Sequence, residues 1–221
     1  MAGLEDDPAP FRPQHQVLRD LRRRLPGLRL ARTDRILEAL IPAILEQKVT
    51  GTEARRAWRR LVRATSEPAP GDFGLLLPPD PGRVAALPSF RFHAFGVERR
   101  RAERIRWLCS RAARIERIGE LPPVEARSSL RLLPGVGVWT AAEVARLAMG
   151  DPDAVSVGDF HLPHLVAWAL AAEPRATDER MLELMEPYRG QRARVQVLLE
   201  AGGIVAPRFG PRLEPHAIER I

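Results

Sequence analysis

Asp159 stands in "VGDFHLP", directly after Gly158 and four residues before Pro163, at the head of an apolar stretch. A carboxylate in that position accepts the amides of residues 161 or 162 as a helix cap. The same hydrogen bonds fix where its other lone pairs point, so a capping role and a catalytic one are compatible. Twenty residues upstream of Asp159 is Trp139, in "LPGVGVWTA", Leu133 to Ala141. Glycines 135 and 137 let the backbone approach a bound group closely, and the amides that open the next helix have no partner inside it. Such a terminus attracts an anion, and one phosphate of a nucleic acid suits it; a plain helix-to-helix turn is the other reading. One short helix and a loop separate Trp139 from Asp159, enough chain to bring the carboxylate back toward whatever the turn holds.

Those residues need a scaffold. The chain has 221 residues, 45% of them apolar, which supports one large core or two small ones. Formal net charge is +7, carried by 34 arginines and a single lysine, Lys48. A basic excess rich in guanidinium groups favours a polyanionic partner, although a solvated arginine surface gives the same composition. The one cysteine, Cys109, excludes an intrachain disulfide, a cysteine-ligated iron–sulfur cluster and an all-cysteine zinc site. Its apolar neighbours Leu108 and Ile115 give it a core position. "MAGLEDDPAP" has no apolar signal region, and no apolar run approaches membrane-spanning length, so an intracellular chain with no membrane partner is expected.

Helical periodicity dominates. Over 97–118 the apolar residues Ala102, Ile105, Leu108, Ala112, Ile115 and Ile118 recur at three and four, with arginines between them. Similar stripes predict helices over 33–48, 52–65, 123–132, 138–149, 162–171, 178–186 and 190–201. Their starts are marked by Thr33 before Asp34, by Pro122 and Pro123, and by Thr177. No segment alternates as a strand, so the expected class is all-α, with loops at 66–82, 133–137 and 150–158.

"ILEQKVTG" (44–51), "FGVERRRAERIRWL" (95–108), "LPGVGVWTA", "VGDFHLP" and "EPYRGQRARV" (186–195) occur in an order and at separations that resemble a known family. It is that of the helix-hairpin-helix (HhH-GPD) DNA glycosylases, which carry a Gly/Pro-rich loop followed by an aspartate. The similarity covers most of 31–201 and is greatest to the alkylpurine, or 3-methyladenine DNA glycosylase II, branch. It implies a two-lobed all-α fold with an interdomain cleft. One lobe would combine 14–50 with 151–205 and carry Asp159; the other would be 51–150 and carry the hairpin, with Trp139 near the opposite wall. Residues 1–13 and 206–221 would be flexible tails.

The resemblance further implies a monomer acting on double-stranded DNA with a damaged base, in the cytoplasm at the nucleoid. The damaged nucleotide is flipped out and its N-glycosidic bond hydrolysed, which initiates base excision repair. An alkylated purine such as 3-methyladenine or 7-methylguanine is the implied base. Asp159 takes the place of the catalytic aspartate. Bond breaking leaves cationic character on the sugar, which an anion stabilises more than it does the neutral ground state, and the same carboxylate can orient or deprotonate water.

Other roles are carried over position by position. Trp139 occupies the place where strand-nicking relatives hold a Schiff-base lysine, so a monofunctional enzyme is implied; its ring either faces a cationic purine or packs in the core. Glu143, one turn on, stands where an aromatic pocket residue occurs in well-known members, and either suits a cationic base or is a solvated charge. Gly135 and Gly137 belong to the DNA-binding hairpin. Gln47 or Lys48 would fill the gap left by the flipped base, or else Gln47 is an ordinary helix-end residue and Lys48 a simple phosphate contact or a charge that complements the helix dipole. His161 is a candidate phosphate donor or an exposed histidine, and His164 reads as a satisfied one. Arg189 and Arg192 read as braces of helix ends ahead of DNA contacts. The carbonyls of Arg131, Leu133 and Val136 match positions that hold K⁺ or Na⁺ in the family; no cofactor is required and no catalytic metal is implied.

Two departures stand out: the acid at 143, and the length of about 30 residues before the first family-like helix, where relatives often carry a β-rich domain. Two other functions fit part of the pattern. One is the same fold acting on uracil, hypoxanthine or an oxidised purine. The other is a non-catalytic helix-hairpin-helix DNA-binding module, which needs Gly135 and Gly137 but has no use for Asp159.

Overall fold

A computed structural model describes residues 3–207. They form twelve α-helices: α1 Gln16–Arg24, α2 Ile36–Leu45, α3 Gly51–Thr65, α4 Pro81–Ala86, α5 Ser89–His93, α6 Arg99–Cys109, α7 Ala112–Glu116, α8 Pro123–Arg131, α9 Val138–Met149, α10 Leu162–Ala171, α11 Asp178–Met185 and α12 Arg192–Ala201. Among the described residues there is no strand, and one isolated bridge pairs Pro68 with Leu76. The expected all-α class is the observed one. None of these helices is long and apolar enough to cross a membrane.

The chain divides into two units, residues 35–136 and residues 3–34 with 137–207. This moves both predicted lobe boundaries, since α2 belongs with 51–136 and α9 belongs with the terminal segments. For α2 the cause is its cap. Thr33 and Asp34 do not cap it; Asp34 has a positive φ of 56°, and the Glu116 carboxylate accepts the amides of Ile36 at 2.7 Å and Leu37 at 3.0 Å. At its other end the Leu45 carbonyl accepts Arg101 Nη1 at 3.0 Å. Its apolar sequence buries eight of ten residues, which a lone amphipathic stripe would not do.

In the central unit, 35–136, α3 opens with a capping box in which Thr50 accepts the Glu53 amide and Glu53 reaches back to the Thr50 amide. The single helix predicted over 97–118 is broken. α6 ends at Cys109, α7 begins at Ala112, and a 3-10 turn follows over Arg117–Glu120. α4 and α5, short helices within and after the predicted loop 66–82, were not anticipated. Cys109 is buried, and desolvation first, with the Asp80 charge second, pushes its thiol up to about 12. It is inert packing, as the sequence suggests.

In the terminal unit, α10, α11 and α12 pack with α1 around Leu18, Leu21, Val166, Met181, Met185 and Leu199. α9 is held there by the Leu147 and Ala148 carbonyls, which accept the amides of Thr33 and Asp34, and by a small cluster of Ala142, Ala145 and Ala154. The stretch 3–13 is not a loose tail: Phe11 is buried among these helices, and Asp6 pairs with Arg194 at 2.6 Å in a buried ion pair. In the predicted 206–221 tail, residues 208–221 lie outside the described residues.

Candidate active site

Asp159 sits just before α10, and its carboxylate gathers three N–H donors. Oδ1 accepts the amides of His161 at 2.7 Å and Leu162 at 2.8 Å. Oδ2 accepts the indole Nε1–H of Trp139 at 3.0 Å. One oxygen therefore holds the amides of His161, the N-cap of α10, and of its first residue Leu162, and the second is aimed from α9 by an aromatic donor. Capping by Oδ1 leaves the Oδ2 side of the anion to do other work. Gly158, at φ +89°, turns the chain into this position, and its amide is tied to Asp178 Oδ2 at 3.0 Å.

Trp139 and Asp159 lie in one unit, so they are not on opposite walls as the resemblance implied. The reason is the placement of α9, which follows 151–207 and not 51–136. Trp139 is half-buried and spends its polar edge on the carboxylate.

Glu143 is neither a solvated charge nor open to a ligand. One oxygen pairs with Arg146 Nη2 at 2.5 Å, the other accepts the Ser156 hydroxyl, and the side chain is 12% exposed. Ser156 in turn accepts the Asp159 amide through its carbonyl at 3.1 Å. Glu143 thus buttresses the loop that delivers the aspartate. His161 is exposed and edge-on to Phe160, with ring centroids 4.9 Å apart. His164 is satisfied, its Nδ1 accepting the Ala176 amide at 3.2 Å. Arg192 is a brace: Asp153 accepts its Nε at 2.8 Å and Nη2 at 2.6 Å, which with its backbone donors holds the Asp153 carboxyl below the usual range despite the opposing effect of burial. Arg189 pairs with Glu186 at the surface.

In the central unit the turn after α8 is formed by the Val136 amide donating to the Leu133 carbonyl at 3.1 Å. Gly135 is required there by its backbone. Its φ is +76°, and an added Cβ would stand 2.6 Å from Arg104 Cδ. Its carbonyl accepts Gln47 Nε2 at 2.9 Å, so Gln47 is engaged with the turn, whereas Lys48 is exposed on a left-handed backbone at φ 56°. The Leu133 carbonyl is thus engaged in the turn, and the backbone oxygens of Arg131, Leu133 and Val136 are donors of the chemical kind a hard cation takes. Among the described residues no group of three His, Cys, Asp or Glu side chains is placed to hold a metal.

Gly137 differs from Gly135. As N-cap of α9 it has φ −88°, and a Cβ there would meet nothing within 4 Å. Nothing in the protein demands glycine, so Gly137→Asp is expected to fold with unchanged or higher stability, since aspartate is a good N-cap. It is also expected to lose duplex affinity by placing an anion beside a phosphate; thermal melting and fluorescence anisotropy with a labelled duplex read the two effects separately.

Sequence reading missed Arg104 and Phe160. Phe160 is 76% exposed beside Asp159, and its signal was an aromatic directly after the aspartate where a core helix begins. Arg104 gave none, because its partner is a glycine 31 positions away.

Residues 41–189 match the HhH-GPD superfamily of base excision DNA repair proteins. A curated relative from Mycobacterium tuberculosis, "Probable bifunctional transcriptional activator/DNA repair enzyme AlkA", is 32% identical over 139 residues, which is 62% of this chain and 28% of the relative. The chain therefore spans little more than a quarter of that protein. Among solved structures, a 3-methyladenine DNA glycosylase from Archaeoglobus fulgidus superposes with a TM-score of 0.72 at 22% identity, covering 83% of this chain and 64% of the other. The Schizosaccharomyces pombe 3-methyladenine DNA glycosylase bound to abasic DNA gives 0.66 at 16% identity, covering 84% and 90%. At such identities the likeness is one of fold. With two thirds of its length in that match and with Asp159 held as described, the chain belongs to the HhH-GPD superfamily of base excision DNA repair proteins.

Proposed function

We propose that this chain is a monofunctional DNA glycosylase that hydrolyses the N-glycosidic bond of alkylated purines of the 3-methyladenine and 7-methylguanine type in double-stranded DNA. The observation that carries the reading is the Asp159 carboxylate, fixed by two backbone amides and the Trp139 indole. Once the damaged nucleotide is extrahelical, the anion faces the deoxyribose as positive charge develops there. Because its donors are in place beforehand, little reorganisation is needed at the moment of bond breaking. Water takes the anomeric carbon, oriented or deprotonated by the same carboxylate. No amine neighbours Asp159 on α9, since position 139 is an indole; an abasic site with an intact strand is the product. Lys48, with its exposed side chain and left-handed backbone, is the residue that fills the vacated stack, in preference to Gln47. A K⁺ or Na⁺ held by the carbonyls of Arg131, Leu133 and Val136 would add positive charge at the turn.

The test is base release from a methylated duplex. Free methylpurine, with strand breaks appearing only after alkali, is the expected result. Breaks without alkali overturn the monofunctional assignment, release of a different base moves the substrate class, and duplex binding without release favours the non-catalytic module. Trp139→Phe separates the two uses of the indole. It keeps the ring and removes one hydrogen bond to a charged group, so single-turnover excision is expected to slow roughly tenfold or more, equally for cationic and neutral lesions. Affinity for an abasic duplex should hardly change. A role as aromatic face alone predicts near-wild-type rates for the phenylalanine variant.

A further inference from the structure

Beside the turn that follows α8, the central unit carries a second basic feature. On α6, Arg100 and Arg104 lie one turn apart, and with Glu103, Trp107 and Pro134 they line one open groove of about 270 Å³. Arg104 rests on the turn itself: an added Cβ on Gly135 would meet its Nε at 2.7 Å and its Cζ at 3.0 Å. The acid in the groove is already taken, since Glu103 pairs with Arg99 at 2.7 Å. Elsewhere most arginines are spent on partners, as Arg146 is on Glu143 and Arg192 on Asp153. The side chains of Arg100 and Arg104 make no hydrogen bond or ion pair with any described residue.

Two uncompensated guanidinium groups beside a glycine turn make a local concentration of positive charge with donors facing outward. Guanidinium forks match phosphate oxygens in geometry as well as charge. Four residues of helix place the two side chains about 6 Å apart along α6, against about 3.4 Å of rise per nucleotide along one DNA strand. That interval is about two nucleotide rises, so the two side chains can meet phosphates of one strand.

We infer that Arg100 and Arg104 form a phosphate-binding groove that extends the hairpin turn, with one strand of duplex DNA as its occupant. The inference rests on the DNA-acting function proposed above. It assigns to α6 a share of affinity that is independent of the base, since phosphate contacts position a duplex without reading it.

The experiment is anisotropy with an undamaged labelled duplex over a salt series, on wild type, Arg104→Met, Arg100→Met and, as a charge control on α1, Arg23→Met, whose exposed guanidinium pairs with Asp20. Methionine keeps an unbranched stem against Gly135 and removes the charge. Each groove variant is expected to lower the slope of log affinity against log salt by about 0.9, the value of one phosphate contact. Melting temperature should stay unchanged, and damaged and undamaged duplexes should be affected alike. Arg23→Met should keep the wild-type slope. Unchanged slopes in the groove variants overturn the inference while leaving the function standing. An equal loss in Arg23→Met also overturns it, by assigning the effect to overall charge. A wild type without salt-dependent duplex binding overturns both.

Discussion

Asp159→Asn is expected to bind duplex DNA as tightly as wild type and to release alkylated purine slower by about 10²–10³-fold, the range seen when one preorganised electrostatic contact to a transition state is removed. Asparagine is nearly as good an N-cap as aspartate, so the two bonds to the amides of His161 and Leu162 can survive on its carbonyl oxygen. The change therefore separates structure from chemistry. A residue that only caps α10 would tolerate it with little loss of rate or stability. A residue that faces a developing cation would not, because the neutral amide offers no charge to it. Single-turnover excision from a methylated duplex, alongside thermal melting, decides between them: an unchanged melt with a collapsed rate is the expected pair, and near-wild-type rates remove Asp159 from the chemistry. The amide nitrogen also meets the Trp139 indole donor, so part of the loss comes from repulsion at that contact. Comparison with the roughly tenfold effect of Trp139→Phe apportions the two.

Asp6→Asn is expected to cost about 3 kcal/mol of folding stability, about a hundredfold in the equilibrium constant, without touching the site. Asp6 accepts Arg194 Nη1 at 2.9 Å and Nη2 at 2.6 Å, and the Leu30 amide at 3.0 Å. Both side chains are less than a tenth exposed. Removing the carboxylate leaves the Arg194 guanidinium buried with only part of its charge compensated, which is the expensive way to break such a pair. Burial alone would raise the Asp6 carboxyl, but the Arg194 hydrogen bonds, the Leu30 amide and the nearby arginine charges carry it below its ordinary 3.8. The folded value is the lower one, so the pair's contribution is fully present above about pH 4 and is lost as pH falls through the folded value. Urea melts at pH 7 should show a lower midpoint at unchanged slope for the variant, and the gap to wild type should narrow in acid below pH 4. A constant gap from pH 7 to pH 3 would remove the charge from the account.

Function in this chain was legible where it rests on local pattern. Pro123 at a helix start, Thr177 as a cap and the glycine turn before α9 are decided by backbone preferences within a few residues. The register of α9 and α10 follows from their apolar spacing, and both helices run over the residues the sequence predicts. The bond from Asp159 to the amides of residues 161 and 162 is local in the same sense. So the all-α class, the turn and the carboxylate at the head of α10 could all be read from the residues.

What the sequence alone could not decide was partnership. Ile36 and Leu37 are capped by Glu116, about 80 positions away, and Asp6 finds Arg194 near the other end of the described chain. Glu143 could equally have faced solvent or a ligand, and packing turned it to Arg146 and Ser156. The unit boundary at 136/137 placed Trp139 with Asp159 instead of across from it. An apolar stripe states that a helix face is buried but not against what, and a charged side chain carries no mark of which distant opposite it will meet. Periodicity and capping are set by neighbours in the chain, so the sequence determined the elements and the candidate carboxylate. Only the tertiary structure decided which side chains hold that carboxylate, and which arginines are left free beside the turn.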